Sequence, residues 1–291
     1  MIGVGLILEG GGSRGVYTAG VLQYLMEESI YIPYVIGVSS GACMGSSYIS
    51  RQLNRNMRVN IDYVQHPDYL SVKNWILKRQ LFGMDFLFEK IMNELDPFDY
   101  ETFNNAREEF VVGVTDCITG EPVFYHKSKH AADMITVLRA SSSLPLIAPA
   151  VQLDNRLLLD GGITSPLPIE QSIKDGNRKN VVILTKNRGY VRKSEPFHWL
   201  IRRKYQDYPG LLKAIEKRHH VYNEKLQYLY EEEKKGNVFI ICPTEKVAVG
   251  RIEKNKKKLI SLYQHGYNDM KRLAPHLKDF CLEGEHIQRV E

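Results

Sequence analysis

Cysteine is scarce in this 291-residue chain, and the four present, Cys43, Cys117, Cys242 and Cys281, stand far apart. No CxxC pair and no Cys/His cluster occurs, which excludes a disulfide framework and a zinc site and fits reduced thiols. No acidic cluster has the spacing of a calcium loop, so no metal is expected. Long hydrophobic runs are also missing. Nothing approaches the roughly 18 apolar residues that a membrane span needs, so any membrane contact is expected to be peripheral. The apolar stretch over residues 1–8 lacks the basic region of a secretion signal and runs into glycines. These absences together predict a cytoplasmic protein. Internal repeats and linker-like tracts are absent too.

What is present is ordinary in bulk and uneven in detail. Hydrophobic residues make up 43% and charged residues 25%, close to the usual globular mixture. A chain of this length can bury a sizeable core as one large domain or two small ones. The net charge of +5 is not spread evenly. Residues 1–185 sum to −4, residues 186–258 to +10 and residues 259–291 to −1. A basic segment of this kind reads first as a solvated face, with contact to anionic headgroups as the functional reading. Nothing in its pattern predicts a nucleic-acid partner.

Short apolar runs set the fold class. Residues 2–8, 34–38, 110–116, 122–126, 157–159, 180–184 and 238–242 read as strands. Helical patterns fall near 14–29, 42–52, 131–140, 168–175, 196–204, 209–235 and 252–274. Strand, helix, strand, helix within the first fifty residues predicts an α/β protein with a mostly parallel sheet. Residues 60–105 are aromatic-rich and read as a helical insertion, with helices near 70–80 and 85–95. Trp75, Leu81, Phe82, Phe86, Leu87 and Phe88 are its candidates for lining an apolar groove. The expected organisation is a core over 1–185 and a mostly helical extension over 186–291. The strand at 238–242 is expected to complete the core's sheet.

Three motifs carry chemistry. Gly10-Gly11-Gly12-Ser13-Arg14-Gly15 follows a strand and opens a helix, the setting of an anion-binding glycine loop. A dinucleotide site also needs an acidic residue at the end of the second strand. That strand ends at Ser39, so the sequence favours an oxyanion as the bound anion. Gly37-Val38-Ser39-Ser40-Gly41 is a GxSxG between a strand and a small-residue helix, the context of a nucleophile elbow. Ser39, with glycine at both flanking positions, is the candidate nucleophile. Asp160-Gly161-Gly162 ends a later strand and can place a carboxylate on the same sheet edge. A histidine base is the alternative, and His198, His219, His220 and His265 follow in chain order. None sits in a short loop after a strand, so the pairing of Ser39 with Asp160 is preferred.

In that order, LILEGGGSRG, GVSSGA and DGG resemble the patatin-like phospholipases, with a close likeness to bacterial members through the start, ILEGGGSRGVYTAGVL. The segment ASSSLPLIAPAV resembles the stretch before that family's aspartate. The resemblance covers roughly residues 1–185. It implies a three-layer α/β/α fold and a serine acyl hydrolase of lipid esters, of the phospholipase A or lysophospholipase type, working through an acyl-enzyme without a cofactor. By matching motif it implies Ser39 as nucleophile, Asp160 as general base, the amides of Gly10, Gly11 and Gly12 as oxyanion donors, and Arg14 supporting that loop. Gly15, Gly37, Gly41, Gly161 and Gly162 are the remaining motif glycines. Gly162 stands where many members have alanine. An acyltransferase, or a lipid-binding relative using the same site, is the alternative implied.

Overall fold

Strands without polar alternation are covered on both faces, and here alternate residues of each strand enter two different cores. A computed structural model describes residues 3–70, 82–194 and 198–288 of the protein. In chain order the elements used below are β1 (Val4–Leu8), α1 (Val16–Glu27), β2 (Tyr34–Val38), α2 (Ser40–Ile49), α3 (Phe86–Leu95), α4 (Tyr100–Asn105), β3 (Glu109–Asp116), β4 (Pro122–His126) and α5 (Met134–Ser141). They continue as β5 (Val151–Leu153), β6 (Arg156–Asp160), α6 (Ile169–Lys174), β7 (Lys179–Ile183), α7 (His198–Lys204), α8 (Pro209–Lys234), β8 (Val238–Ile241) and α9 (Lys256–Gln288).

Among the described residues the strands form one mixed sheet in the order β5-β6-β3-β2-β1-β7-β8, with β4 also on β3. The central pairs β1–β2, β1–β7, β2–β3 and β7–β8 are parallel. Leu6, Leu8, Val35, Val112 and Ile183 point into a core shared with α1, α2, α5 and α9. Ile7, Ile36, Val111 and Val182 point the other way, against α6 and α8. The arrangement is three-layered, α/β/α. The expected helix near 70–80 lies outside the described residues. The helix expected near 85–95 is present as α3, with widened turns such as the bond from Asp96 N–H to the Ile91 carbonyl at 2.9 Å.

Two elements depart from the pattern-based expectation. Strand β5 was not expected: three residues are too few to show a period. Helix α9 runs well past residue 274 and through Pro275. A proline inside a helix removes one hydrogen bond at a cost of about 3 kcal/mol. Burial of Leu277 and Phe280 beyond it offsets that cost.

One feature of the topology places the site. Strand β3 is longer than its partners, and two strands share one of its edges. β2 pairs with Glu109 to Gly113 and stops at Val38 opposite Gly113. β6 arrives antiparallel and pairs with Val114 to Asp116, its last residue, Asp160, opposite Val114. β4 spans both stretches of β3, from Val111 to Thr115, and so must occupy the other edge. The ends of β2 and β6 therefore meet head to head.

Candidate active site

Ser39 is the first residue beyond β2, at φ 54° and ψ −134°. A left-handed φ is strained for a residue with a side chain, and it marks the sharp strand-to-helix turn that the GxSxG spacing predicts. The turn is held from below. Ser39 N–H donates to Ser141 Oγ at 2.8 Å, and Ser141 Oγ–H donates to the Gly113 carbonyl at 2.7 Å. Two residues on, the Ser143 carbonyl accepts from Asp160 N–H at 2.9 Å. The serine-rich run after α5 thus ties the end of β2 to the end of β6. Gly161 allows this join, because a Cβ there would collide with the Gly113 carbonyl.

The Asp160 carboxylate is buried, with 1% of its surface exposed. Oδ1 accepts from Gly162 N–H at 2.7 Å, while Oδ2 is buried with no hydrogen-bond partner of normal geometry. Burial raises the carboxyl above the usual carboxylate range. The Arg218 charge, the Ser39 hydroxyl, the Gly162 amide and the Arg251 charge each oppose that rise. Ser39 and Asp160 line a single cleft of about 510 Å³, together with Gly10, Gly11, Gly12 and Arg14. Gly162 lines it too, whereas Gly15, Gly37, Gly41 and Gly161 serve as packing positions beneath it.

The glycine loop wraps the elbow closely. A Cβ on Gly10 would stand 2.8 Å from Ser39 Cβ, and Gly12 has φ +58° against the Arg251 carbonyl. Gly11 N–H does not point freely into the cleft: it donates to Ser40 Oγ at 2.8 Å. Of the three amides expected as oxyanion donors, this one is already engaged, and it gives the serine beside Ser39 a part in holding the loop. Arg14 is largely buried, which pushes its guanidinium below the ordinary arginine range, and its Nε has no hydrogen-bond partner.

Sequence reasoning missed several residues at this cleft. Glu9, just before the glycines, is 4% exposed. Its Oε2 accepts from Thr185 N–H at 2.5 Å and Thr185 Oγ1–H at 2.9 Å, and its Oε1 accepts from Tyr222 Oη–H at 2.9 Å. Arg218 Nε donates to the Gly162 carbonyl at 2.6 Å. Ser13 N–H donates to the Arg251 carbonyl at 2.9 Å. Lys186 and Arg192 complete the cationic wall. The signal for Arg218 was present in α8. It falls in register with the buried stripe Leu211, Ile215, Tyr222, Leu226 and Leu229.

A second cavity, about 1060 Å³, also opens at Ser39. Met44, Val59, Met84, Leu138 and Ile147 give it an apolar lining. Phe82, Leu87 and Phe88 of the expected groove residues line it as well. Phe86 does not, and packs instead on His66 with ring centroids 4.3 Å apart. Trp75 and Leu81 lie outside the described residues. Gly12, Ser39, Leu144 and Arg251 belong to both cavities.

Among the described residues no histidine lines either cavity. His219 and His220 contact each other on α8 with rings tilted by 40°, and His265 bonds to Thr244; the side chains of His198 and His286 lie outside the described residues. No group of metal-ligating side chains occurs among the described residues. No described helix is long and apolar enough to cross a membrane.

A family model described as patatin-like phospholipase matches residues 6–173, and one described as a domain of unknown function, DUF6363, matches residues 208–282. Escherichia coli YjjU, an uncharacterized protein, is 27% identical over 191 residues, covering 62% of this chain and 52% of the relative. The probable lipid hydrolase 463L of invertebrate iridescent virus 6 is 24% identical, covering 60% of this chain and 65% of the relative. The neuropathy target esterase sws of Drosophila persimilis is 30% identical, over 57% of this chain and 11% of that much longer protein. The chain thus spans half to two thirds of the first two relatives and a small part of the third. Among solved structures, VipD from Legionella pneumophila aligns with TM-score 0.47 at 12% identity, covering 92% of this chain and 66% of that one.

Proposed function

The chain belongs to the patatin-like phospholipase family, and from that premise we propose that it hydrolyses the carboxylic esters of lipids through a Ser39–Asp160 dyad, as a phospholipase A or lysophospholipase. The observation that carries this reading is the position of Ser39. It stands on a strained elbow, beside a buried carboxylate, where an apolar cavity meets a polar cleft. An acyl chain fits the first and the alcohol portion of an ester fits the second.

The steps follow from the groups present. Asp160 accepts the Ser39 proton, and Oγ attacks the ester carbonyl. The oxyanion that forms faces the glycine loop, where the Gly10 and Gly12 amides are the proposed donors; one such donor is typically worth about 3–4 kcal/mol. The tetrahedral intermediate collapses to an acyl-enzyme, and the proton held by Asp160 leaves with the alcohol. Water then repeats the attack, its proton passing to Asp160; the second intermediate collapses, releasing the fatty acid and returning that proton from Asp160 to Ser39 Oγ. A carboxylate is a weak base for a serine hydroxyl. Burial of Asp160 strengthens it, since desolvation raises its proton affinity.

We read residues 186–291 as part of the same folded unit, because Arg218, Tyr222 and Arg251 hold the motif loops from outside. We also propose peripheral contact with a membrane through α7, where Trp199 is 64% exposed beside Arg202, Arg203 and Lys204. The experiment for the dyad is labelling by a fluorophosphonate probe, with hydrolysis of a lysophospholipid scored in parallel. Wild type should label, and Ser39→Ala and Asp160→Ala should not. Full labelling of Asp160→Ala would remove Asp160 from the mechanism.

A further inference from the structure

A buried carboxylate outside the family match reaches the glycine loop from two directions. Asp269 of α9 is 5% exposed and lies within residues 208–282, the span of DUF6363. Its Oδ2 accepts from Tyr17 Oη–H at 3.0 Å. Its Oδ1 accepts from Thr244 Oγ1–H at 2.8 Å and from Arg272 Nη2–H at 3.2 Å. Thr244 N–H is shared between Asp269 Oδ2 at 3.3 Å and His265 Nε2 at 3.2 Å. We infer that Asp269 is a positioning residue for the glycine loop, acting through Tyr17 and Thr244, and that this is a role of the DUF6363 segment in the reaction.

Each partner leads to the loop. Tyr17 is the second residue of α1, the helix that the glycine loop opens, and is fully buried. Its main chain is pressed against α9. A Cβ on Gly266 would collide with the Tyr17 carbonyl, and one on Gly20 with the Tyr263 carbonyl. Backbones packed this closely transmit a displacement from one helix to the other. Thr244 roots the connection of residues 242–255 between β8 and α9. Asn187 holds the same root: its Nδ2 donates to the Pro243 carbonyl at 2.9 Å and its Oδ1 accepts from Val247 N–H at 3.1 Å. The connection then crosses to the glycine loop. There the Arg251 carbonyl accepts from Ser13 N–H at 2.9 Å, and Glu253 N–H donates to Ser13 Oγ at 3.1 Å. Gly12 lies against that carbonyl at φ +58°, with no room for a Cβ.

The same contacts decide which amides can face an oxyanion. Gly12 stands between Gly11, whose amide is engaged by Ser40, and Ser13, whose amide is engaged by Arg251. The path of the 242–255 connection therefore sets the conformation of the loop at Gly12. A preorganised donor acts only from the right position, and a displacement of about 1 Å costs up to about a hundredfold in rate. A carboxylate suits the task of anchor. It accepts from several donors at once, and burial strengthens those bonds. The inference rests on the proposed hydrolysis at Ser39, but its first test does not depend on turnover.

That test is amide hydrogen exchange on the full chain, comparing wild type with Thr244→Val, Thr244→Ser and Tyr17→Phe. Thr244→Val keeps the side chain's shape and removes the hydroxyl that Asp269 holds, whereas Thr244→Ser keeps the hydroxyl. Peptides covering residues 9–16 and 245–254 should exchange about tenfold faster in Thr244→Val and Tyr17→Phe, the scale of one buried hydrogen bond. Thr244→Ser should exchange as wild type does, and β3 should stay equally protected throughout. In parallel, hydrolysis of a soluble short-chain ester is followed well below each melting temperature. Thr244→Val and Tyr17→Phe should lower kcat about tenfold with KM unchanged, and Thr244→Ser should match wild type. A role in stability alone would lower the melting temperature and leave kcat as it was. Unchanged exchange in both peptides would overturn the inference, and so would faster exchange with unchanged kcat. Loss of β3 protection in Tyr17→Phe would report general unfolding, and the two Thr244 variants would then decide. A wild type that cleaves no ester would defeat the dyad, and exchange would still decide whether Asp269 holds the loop.

Discussion

Tyr222 donates its phenolic hydrogen to Glu9 Oε1 at 2.9 Å, joining residues 213 positions apart in the chain. The bond is buried, and it fixes the residue from which the glycine loop departs. With the two bonds from Thr185, it satisfies a carboxylate that would otherwise be unpaired inside the protein. Removing the hydroxyl leaves Glu9 Oε1 without a donor, and a buried acceptor stripped of its partner costs about 1–3 kcal/mol. Tyr222→Phe is therefore expected to lower the melting temperature and to reduce kcat/KM about tenfold by loosening the loop. Thermal melts and ester kinetics on the same preparation check this. An unchanged kcat/KM alongside a lowered melting temperature would separate the bond's structural role from any role in positioning the loop.

Asp160 predicts opposite effects on stability and on activity. Its folded pKa is raised, so between the ordinary carboxylate value and the raised one the native state binds more protons than the unfolded state. Stability contributed by this group therefore falls as pH rises through that window. Asp160→Asn removes the buried charge and should raise the melting temperature at pH 7 by about 2 °C, the shift that 1 kcal/mol makes in a chain of this size. The same variant should lose probe labelling and turnover. A lowered melting temperature would mean that the bond from Gly162 N–H outweighs the desolvation penalty.

The pH profile follows from the same carboxyl. If ionised Asp160 is the base, the acid limb of kcat/KM lies above the ordinary aspartate value of about 4. Arg218 is the largest influence holding that pKa down. Arg218→Gln should move the acid limb to higher pH, whereas a residue that only braces the Gly162 loop would lower the rate without moving it. A pH series on both proteins with a neutral short-chain ester distinguishes the two.

Much of this site was legible in the sequence because its chemistry sits in short motifs. GVSSG between a strand and a small-residue helix is enough to place Ser39 on an elbow, and DGG at a strand end is enough to place a carboxylate at the sheet's edge. The head-to-head meeting of β2 and β6 on β3 was not legible. It depends on register between strands more than a hundred residues apart, which no local pattern encodes. Glu9, Arg218 and Arg251 were missed for the same reason, since each acts through a distant partner. Arg218 alone left a trace, as a charge in line with the buried stripe of α8. The engaged amide of Gly11 is a further case, since the hydroxyl of Ser40 competes for it only once the loop and the elbow are folded together.

The apolar cavity should set chain length. Val59 and Met44 line it from the side of α2 and the segment that follows. Val59→Trp adds bulk to a wall of a cavity of about 1060 Å³ without touching Ser39 or Asp160. Each methylene lost from apolar contact weakens binding by about 0.8 kcal/mol. The variant is therefore expected to shift the preferred ester to shorter chains, with long-chain kcat/KM falling about tenfold or more while butyrate esters are spared. A uniform loss across chain lengths would mean that the acyl group lies elsewhere.

Helix α7 is the surface proposed for membrane contact. Trp199 is 64% exposed and Leu200 37%, and the helix ends in Arg202, Arg203 and Lys204. An exposed tryptophan beside a basic cluster has the two components of interfacial binding, an apolar anchor and attraction to anionic headgroups. Each basic side chain near such a surface contributes about 1 kcal/mol, and the attraction falls with salt. The protein should therefore co-sediment with phosphatidylglycerol-containing vesicles and much less with pure phosphatidylcholine. Trp199→Ala should weaken that binding while leaving hydrolysis of a soluble ester unchanged, because α7 contributes no residue to either cavity. Equal binding to both vesicle types, insensitive to salt, would place the contact on an apolar surface other than this one.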